Sequence, residues 1–92
     1  MPTNHDLGQA IRRLRRGGRM NIMELACAAD VSPTYVSRIE RGGASPTFEK
    51  IVVLAQALDV SLPTLMHRAE EEAEVGRAVR EARSRIKAQR GS

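Results

Sequence analysis

Tryptophan is missing from this chain of 92 residues, and Tyr35 and Phe48 are its only aromatic side chains. A core without aromatics has to be filled by Leu, Ile, Val, Met and Ala, which favours packed helices. The single cysteine, Cys27, excludes an internal disulfide. No stretch approaches the roughly 18 apolar residues of a membrane span. No secretory hydrophobic segment follows Met1, so a cytoplasmic location and no membrane association are expected. His5 and His67 stand far apart without ligands at metal spacing, so neither a metal site nor a cofactor is expected. Ser, Cys and His residues form no nucleophile, base and orienter set, and no glycine-rich phosphate loop follows a strand. A chain this short buries only about 60 to 65% of its unfolded surface, too little for a large catalytic cleft. The expectation is a protein that is not an enzyme.

What is present in excess is positive charge. Fifteen Lys and Arg stand against eleven Asp and Glu, a net charge of +4, and only Lys50 and Lys87 of the fifteen are lysine. The excess suits a polyanionic partner but does not identify one.

Helical spacing recurs along the chain. Leu7, Ile11 and Leu14 make a stripe at four- and three-residue intervals, closed by Gly17 and Gly18. Asn21 is placed to cap a second helix whose apolar face holds Leu25, Ala26 and Ala29, with Cys27 expected to face or border that core. Ser32 followed by Pro33 is a strong start signal for a third helix, which stops at Gly42 and Gly43. Asp30 sits between these two helices where a left-handed residue is needed, and Asp tolerates that conformation better than most. Thr47 opens a fourth helix, the most apolar, carrying Phe48, Ile51, Val52, Leu54, Ala55 and Leu58. Asp59 ends it, again at a helix-end position where Gly is commoner, as at Asp30, and Ser61 caps a fifth with Leu62, Leu65 and Met66. No proline or glycine separates Thr64 from Val75, which allows that helix to run on.

Beyond residue 66 the composition changes. Glu70, Glu71, Glu72 and Glu74 precede Arg77, Arg80, Arg83, Arg85, Lys87 and Arg90. Acid toward the start and base toward the end agree with the dipole of a helix. Val75, Val79, Ala82 and Ile86 give this exposed helix a weak apolar stripe. Two units are expected, a compact one over residues 1–66 and a charged helical extension over 67–92.

The stretch DVSPTYVSRIERGG, residues 30–43, carries the sharpest signal. At about 100° per residue, Thr34, Ser37, Arg38 and Arg41 fall on one face of the third helix, with Val36 and Ile39 opposite and Tyr35 at the border. Glu40 falls beside the apolar arc, where a carboxylate needs a cation. Two helices joined by a turn of three to four residues, the second with a polar outer face, match the description of a DNA-binding helix-turn-helix. Any exposed helix face is polar, so composition alone leaves this face open to either reading.

Residues 7–66 resemble the Cro and phage-repressor type of helix-turn-helix domain, the XRE family. The resemblance rests on Leu14-Arg15 at the end of the first helix, Glu24-Leu25-Ala26 in the second and Val31-Ser32 before the third. Ser37-Arg38-Ile39-Glu40-Arg41-Gly42, Pro46, Leu54-Ala55 and Ala57-Leu58 complete it. It implies an all-α fold, a five-helix lambda-repressor-like helix-turn-helix domain followed by a long charged C-terminal helix. It implies double-stranded DNA as partner, with Pro33, Thr34, Ser37 and Arg38 at base-contacting positions and Asn21, Ser32, Tyr35, Arg41 and Gly43 at phosphate-contacting ones. It also implies a structural ion pair between Arg15 and Glu40. One position departs from the pattern: Ile22 stands where the family often has Gln, so contact from the start of the second helix is weakened.

The implied function is sequence-specific transcriptional regulation, most simply by a homodimeric repressor or autoregulator on a pseudo-palindromic operator. Half-site centres about 10 base pairs apart, or a multiple of that, are expected. The dimer contacts are expected from Leu62, Leu65 and Met66, from the charged helix through Val75, Val79 and Ile86, or from both. An alternative is an antitoxin or adaptor whose C-terminal helix binds a partner protein. A restriction-modification controller is a narrower form of the first reading.

Overall fold

The computed structural model describes residues 1–90 as five helices without strands: α1 (Asn4–Gly17), α2 (Ile22–Ala28), α3 (Pro33–Glu40), α4 (Phe48–Ala57) and α5 (Leu62–Arg90). Each start has a side chain to satisfy an otherwise unpaired amide. The Thr3 hydroxyl accepts from the Asp6 amide and Asn21 accepts from Glu24, each with the acid reaching back to the cap residue. Ser32, Thr47 and Ser61 accept from Tyr35, Lys50 and Thr64.

Four of the helix ends share one turn. The amides of Met20, Val31, Gly43 and Val60 donate to the carbonyls of Arg15, Ala26, Arg38 and Ala55, five residues back. Such a turn places one residue in the left-handed region, and these are Arg19, Asp30, Gly42 and Asp59. Asp30 and Asp59 were foreseen from sequence. At the end of α1 the glycines do not take this role: Gly18 has φ −84° and Arg19 has φ +58°. A left-handed side-chain residue costs about 1–2 kcal/mol.

The core joins all five helices through Leu7, Ala10, Ile11, Leu25, Ala26, Ala29, Val36, Ile39, Leu54, Ala55, Leu65 and Ala69. α1 crosses α3 at Gly8, where a Cβ would lie 2.1 Å from the Ile39 carbonyl oxygen and 2.8 Å from that of Glu40. Only glycine fits there. Cys27 is exposed, not at the core edge, because it lies opposite Leu25, Ala26 and Ala29 on the short α2. Phe48 is 69% exposed, since it precedes Ile51, the first α4 side chain packed on the core.

α5 passes residues 66 and 67 without interruption, so the division expected there falls inside one helix. Ala69 is buried against the rest of the chain, and Arg13 of α1 pairs with Glu72. From residue 77 onward every described residue is exposed, and the projecting helix gives the molecule extents of 53 × 25 × 24 Å. Residues 91 and 92 of the expected extension lie outside the described residues. None of the described helices is long and apolar enough to cross a membrane.

Candidate nucleic-acid interface

The polar outer face of α3 is held in place from below. Val36 and Ile39 are buried in the core, and Glu40, at the last position of α3, turns inward beside them. There its two carboxylate oxygens accept from Arg15, Nε to Oε2 at 2.7 Å and Nη2 to Oε1 at 2.9 Å. The remaining Arg15 nitrogen, Nη1, donates to the Met20 carbonyl at 2.9 Å. The Glu40 hydrogen bonds and charge hold the Arg15 guanidinium above its ordinary pKa, although burial acts the other way. The side chains are 8% and 5% exposed, so water screens this fork weakly. No buried side-chain nitrogen or oxygen among the described residues lacks a partner.

The other side of α3 is open. Pro33, Thr34 and Arg38 are exposed, while Ser37 and Tyr35 are half-buried, and all five lie on or beside the same outward face. Arg38 reaches the Gly43 carbonyl through one long 3.4 Å contact, and Arg41 donates to the Ser37 hydroxyl at 3.1 Å. Ser37 and Arg41 therefore present one linked donor set. At the edge, Asn21 and Ser32 use their side-chain oxygens as caps. The Asn21 amide nitrogen and the Ser32 hydroxyl proton remain for an incoming oxygen. The Gly43 amide is committed to the Arg38 carbonyl at 2.9 Å, so Gly43 has no amide proton left to offer.

Ile22, the departure from the expected pattern, is half-buried and packs against the core. A long polar side chain at this first position of α2 is replaced by an apolar one that anchors the helix.

One side chain here was missed from sequence. A shallow hollow beside α3 is lined by Asp30, Ser32, Thr34, Tyr35, Arg38 and Lys50. Lys50 comes from the first turn of α4, is exposed and has no ion-pair partner among the described residues. A cation in a first turn opposes the helix dipole. That misfit, once Thr47 is recognised as the cap, is the signal that marks it. Asp30 places the only carboxylate in the hollow.

Of the six residues expected at a dimer contact, Leu65 is fully buried in this chain's own core and is not available to a partner. Leu62 and Met66 stay half-exposed, and Val75, Val79 and Ile86 are exposed.

A helix-turn-helix family profile matches residues 11–65. The HTH-type transcriptional regulator SinR of Bacillus licheniformis is 33% identical over 66 residues, which is 71% of this chain and 60% of SinR. The chain thus spans about three fifths of that relative. The clp gene regulator ClgR of Corynebacterium glutamicum is 30% identical, with a TM-score of 0.80 over 90% of this chain and 87% of its own. The restriction-modification controller protein C.AhdI of Aeromonas hydrophila is 31% identical, with a TM-score of 0.66 over 67% of this chain and 94% of its own. The chain belongs to the helix-turn-helix family, of the Cro and phage-repressor (XRE) type.

Proposed function

We propose that this protein is a sequence-specific double-stranded DNA-binding transcriptional regulator of the cytoplasm, acting by binding and not by catalysis. The observation that carries this reading is the division of α3: an inner face fixed by Arg15 and Glu40, and an outer face on which Pro33, Thr34 and Arg38 are exposed and Ser37 is half-buried. A helix so held is ready to enter a major groove. Arg38 matches the two acceptors of guanine, Thr34 and Ser37 serve several base edges, and Pro33 meets a thymine methyl. Arg41, Lys50, Ser32, Tyr35 and the Asn21 amide surround this row and suit phosphates.

Reading a palindromic site requires two copies. The half-exposed Leu62 and Met66, one turn apart on α5, give the head an apolar patch for a two-fold contact. The likeness to SinR, ClgR and C.AhdI supports the regulatory reading.

Selection of bound sequences from a random duplex pool, followed by footprinting, tests the proposal. An enriched inverted repeat with half-sites about 10 base pairs apart, or a multiple, is the expected result. Recovery of no preferred sequence would overturn it.

A further inference from the structure

The projecting half of α5 carries a second feature. Val75, Val79 and Ile86 are 56%, 44% and 52% exposed, and with Ala82 they recur at intervals of four, three and four residues. That spacing is the seam of a paired coil, not the broader stripe of a helix lying on its own domain. At about 100° per residue the seam lies about 90° round the helix from the buried line through Leu65 and Ala69. It lies about 150° from Leu62 and Met66, so it is separate from the patch on the head.

The seam also runs into a groove. Between α1 and α5 a hollow of about 600 Å³ has Leu14, Leu58 and Val60 on its apolar side, Arg68 and Glu72 on its rim, and Val75 at its α5 end. Charge along α5 is segregated, acid before base, although Glu72 pairs with Arg13, Glu71 with His67, and Glu81 stands four residues from both Arg77 and Arg85. Glu70 and Glu74 stand four residues apart, as do Arg83 and Lys87, and like charges at that interval destabilise a helix by a few tenths of a kcal/mol.

We propose that this seam and groove receive α5 of a second copy of the chain, running antiparallel about a two-fold axis between Arg80 and Glu81. In that register Val75 meets the partner's Ile86 and Val79 meets the partner's Ala82. Glu74 comes beside the partner's Arg85, and Glu72, already paired with Arg13 of its own chain, comes beside the partner's Arg90. The partner's helix end enters the groove over Leu14, Leu58 and Val60. A parallel pair would set acidic block on acidic block and basic on basic. The antiparallel axis leaves the two copies of Leu62 about 55 Å apart along the helices, so one pair of chains cannot use the seam and the head patch together. Use of both joins each chain to two others.

Two measurements on the full chain test this, and neither involves DNA, so their failure leaves the regulatory reading intact. In sedimentation, Val79→Glu halves the mass of the wild-type species while circular dichroism shows the helices retained. An unchanged mass, or a monomeric wild type, overturns the proposal. In the second, carried out on a Cys27→Ser background, Val75→Cys and Ile86→Cys chains are mixed under oxidising conditions, and disulfides form between unlike chains. In the proposed register the two copies of residue 75 stand about 16 Å apart, beyond the reach of a disulfide. Disulfides between two Val75→Cys chains, or none between unlike chains, overturn it.

Discussion

The inner and outer faces of α3 share eight residues and a backbone, yet their side chains answer to different surroundings. Inside, Val36, Ile39 and Glu40 are almost dry, the first two packed in the core and the third held by Arg15. Outside, Thr34 and Arg38 are exposed, and the Arg38 guanidinium makes one long hydrogen bond, to the Gly43 carbonyl. The inner face determines whether α3 has a shape, and under the proposed function the outer face determines what that shape recognises. Substitutions on the two faces should therefore separate in the laboratory, moving stability in one case and DNA binding in the other.

The largest effect is expected from Glu40→Ala. It leaves Arg15 charged, buried and unpaired, and should cost about 3–5 kcal/mol in denaturant unfolding. That is a large share of the 5–15 kcal/mol typical of a whole domain. Replacing both members, Arg15→Met with Glu40→Leu, should recover much of the loss, because two packed apolar side chains need no counter-charge. An unchanged melting temperature for Glu40→Ala would break the comparison at its root. Gly8→Ala comes next, at about 3 kcal/mol, since the added methyl must push α1 away from the Ile39 carbonyl. Thermal unfolding reads it directly.

On the outer face, Arg38→Ala should leave the melting temperature in place, weaken specific binding by about 1–3 kcal/mol and relax the preference at one base pair. Arg41→Ala should weaken binding to every sequence alike and lower the salt slope by about one. Titrations against matched and scrambled duplexes at several salt concentrations separate the two. If both variants behaved alike, Arg38 would not be a base reader. The smallest effect belongs to Asp30→Asn, which keeps a residue tolerant of the left-handed turn and removes the one carboxylate in the hollow. Binding to all duplexes should tighten by roughly twofold to fivefold, the scale of an exposed charge interaction.

The parts of this molecule that were legible in the sequence are those governed by local chemistry. Caps at Asn21, Ser32, Thr47 and Ser61, the left-handed aspartates and the inward turn of Glu40 all follow from neighbours within a few residues and from helical period. The Arg15 partner needed the family resemblance, because 25 residues of chain separate it from Glu40. What was not legible depends on where helices cross. Nothing near Gly8 in sequence reveals that the backbone of α3 lies against it. Leu65 read as available to a partner, but its burial depends on how α5 leans on α1, which turns Leu65 and Ala69 inward and leaves Leu62 and Met66 at the edge. Cys27 is a different kind of miss, since the helical period that placed Leu25 and Ala29 inside already put it on the far side of α2.

α3 is only two turns long. A helix of that length does not persist by itself in water, where even good formers need about 12–15 residues to be marginal. Its form is lent to it by the fork under its last turn and by the glycine contact at the α1 crossing. On heating, then, the outer surface of α3, the one proposed to meet DNA, is not expected to fray away ahead of the rest. Recognition and folding vanish together, over the width of a single cooperative melt.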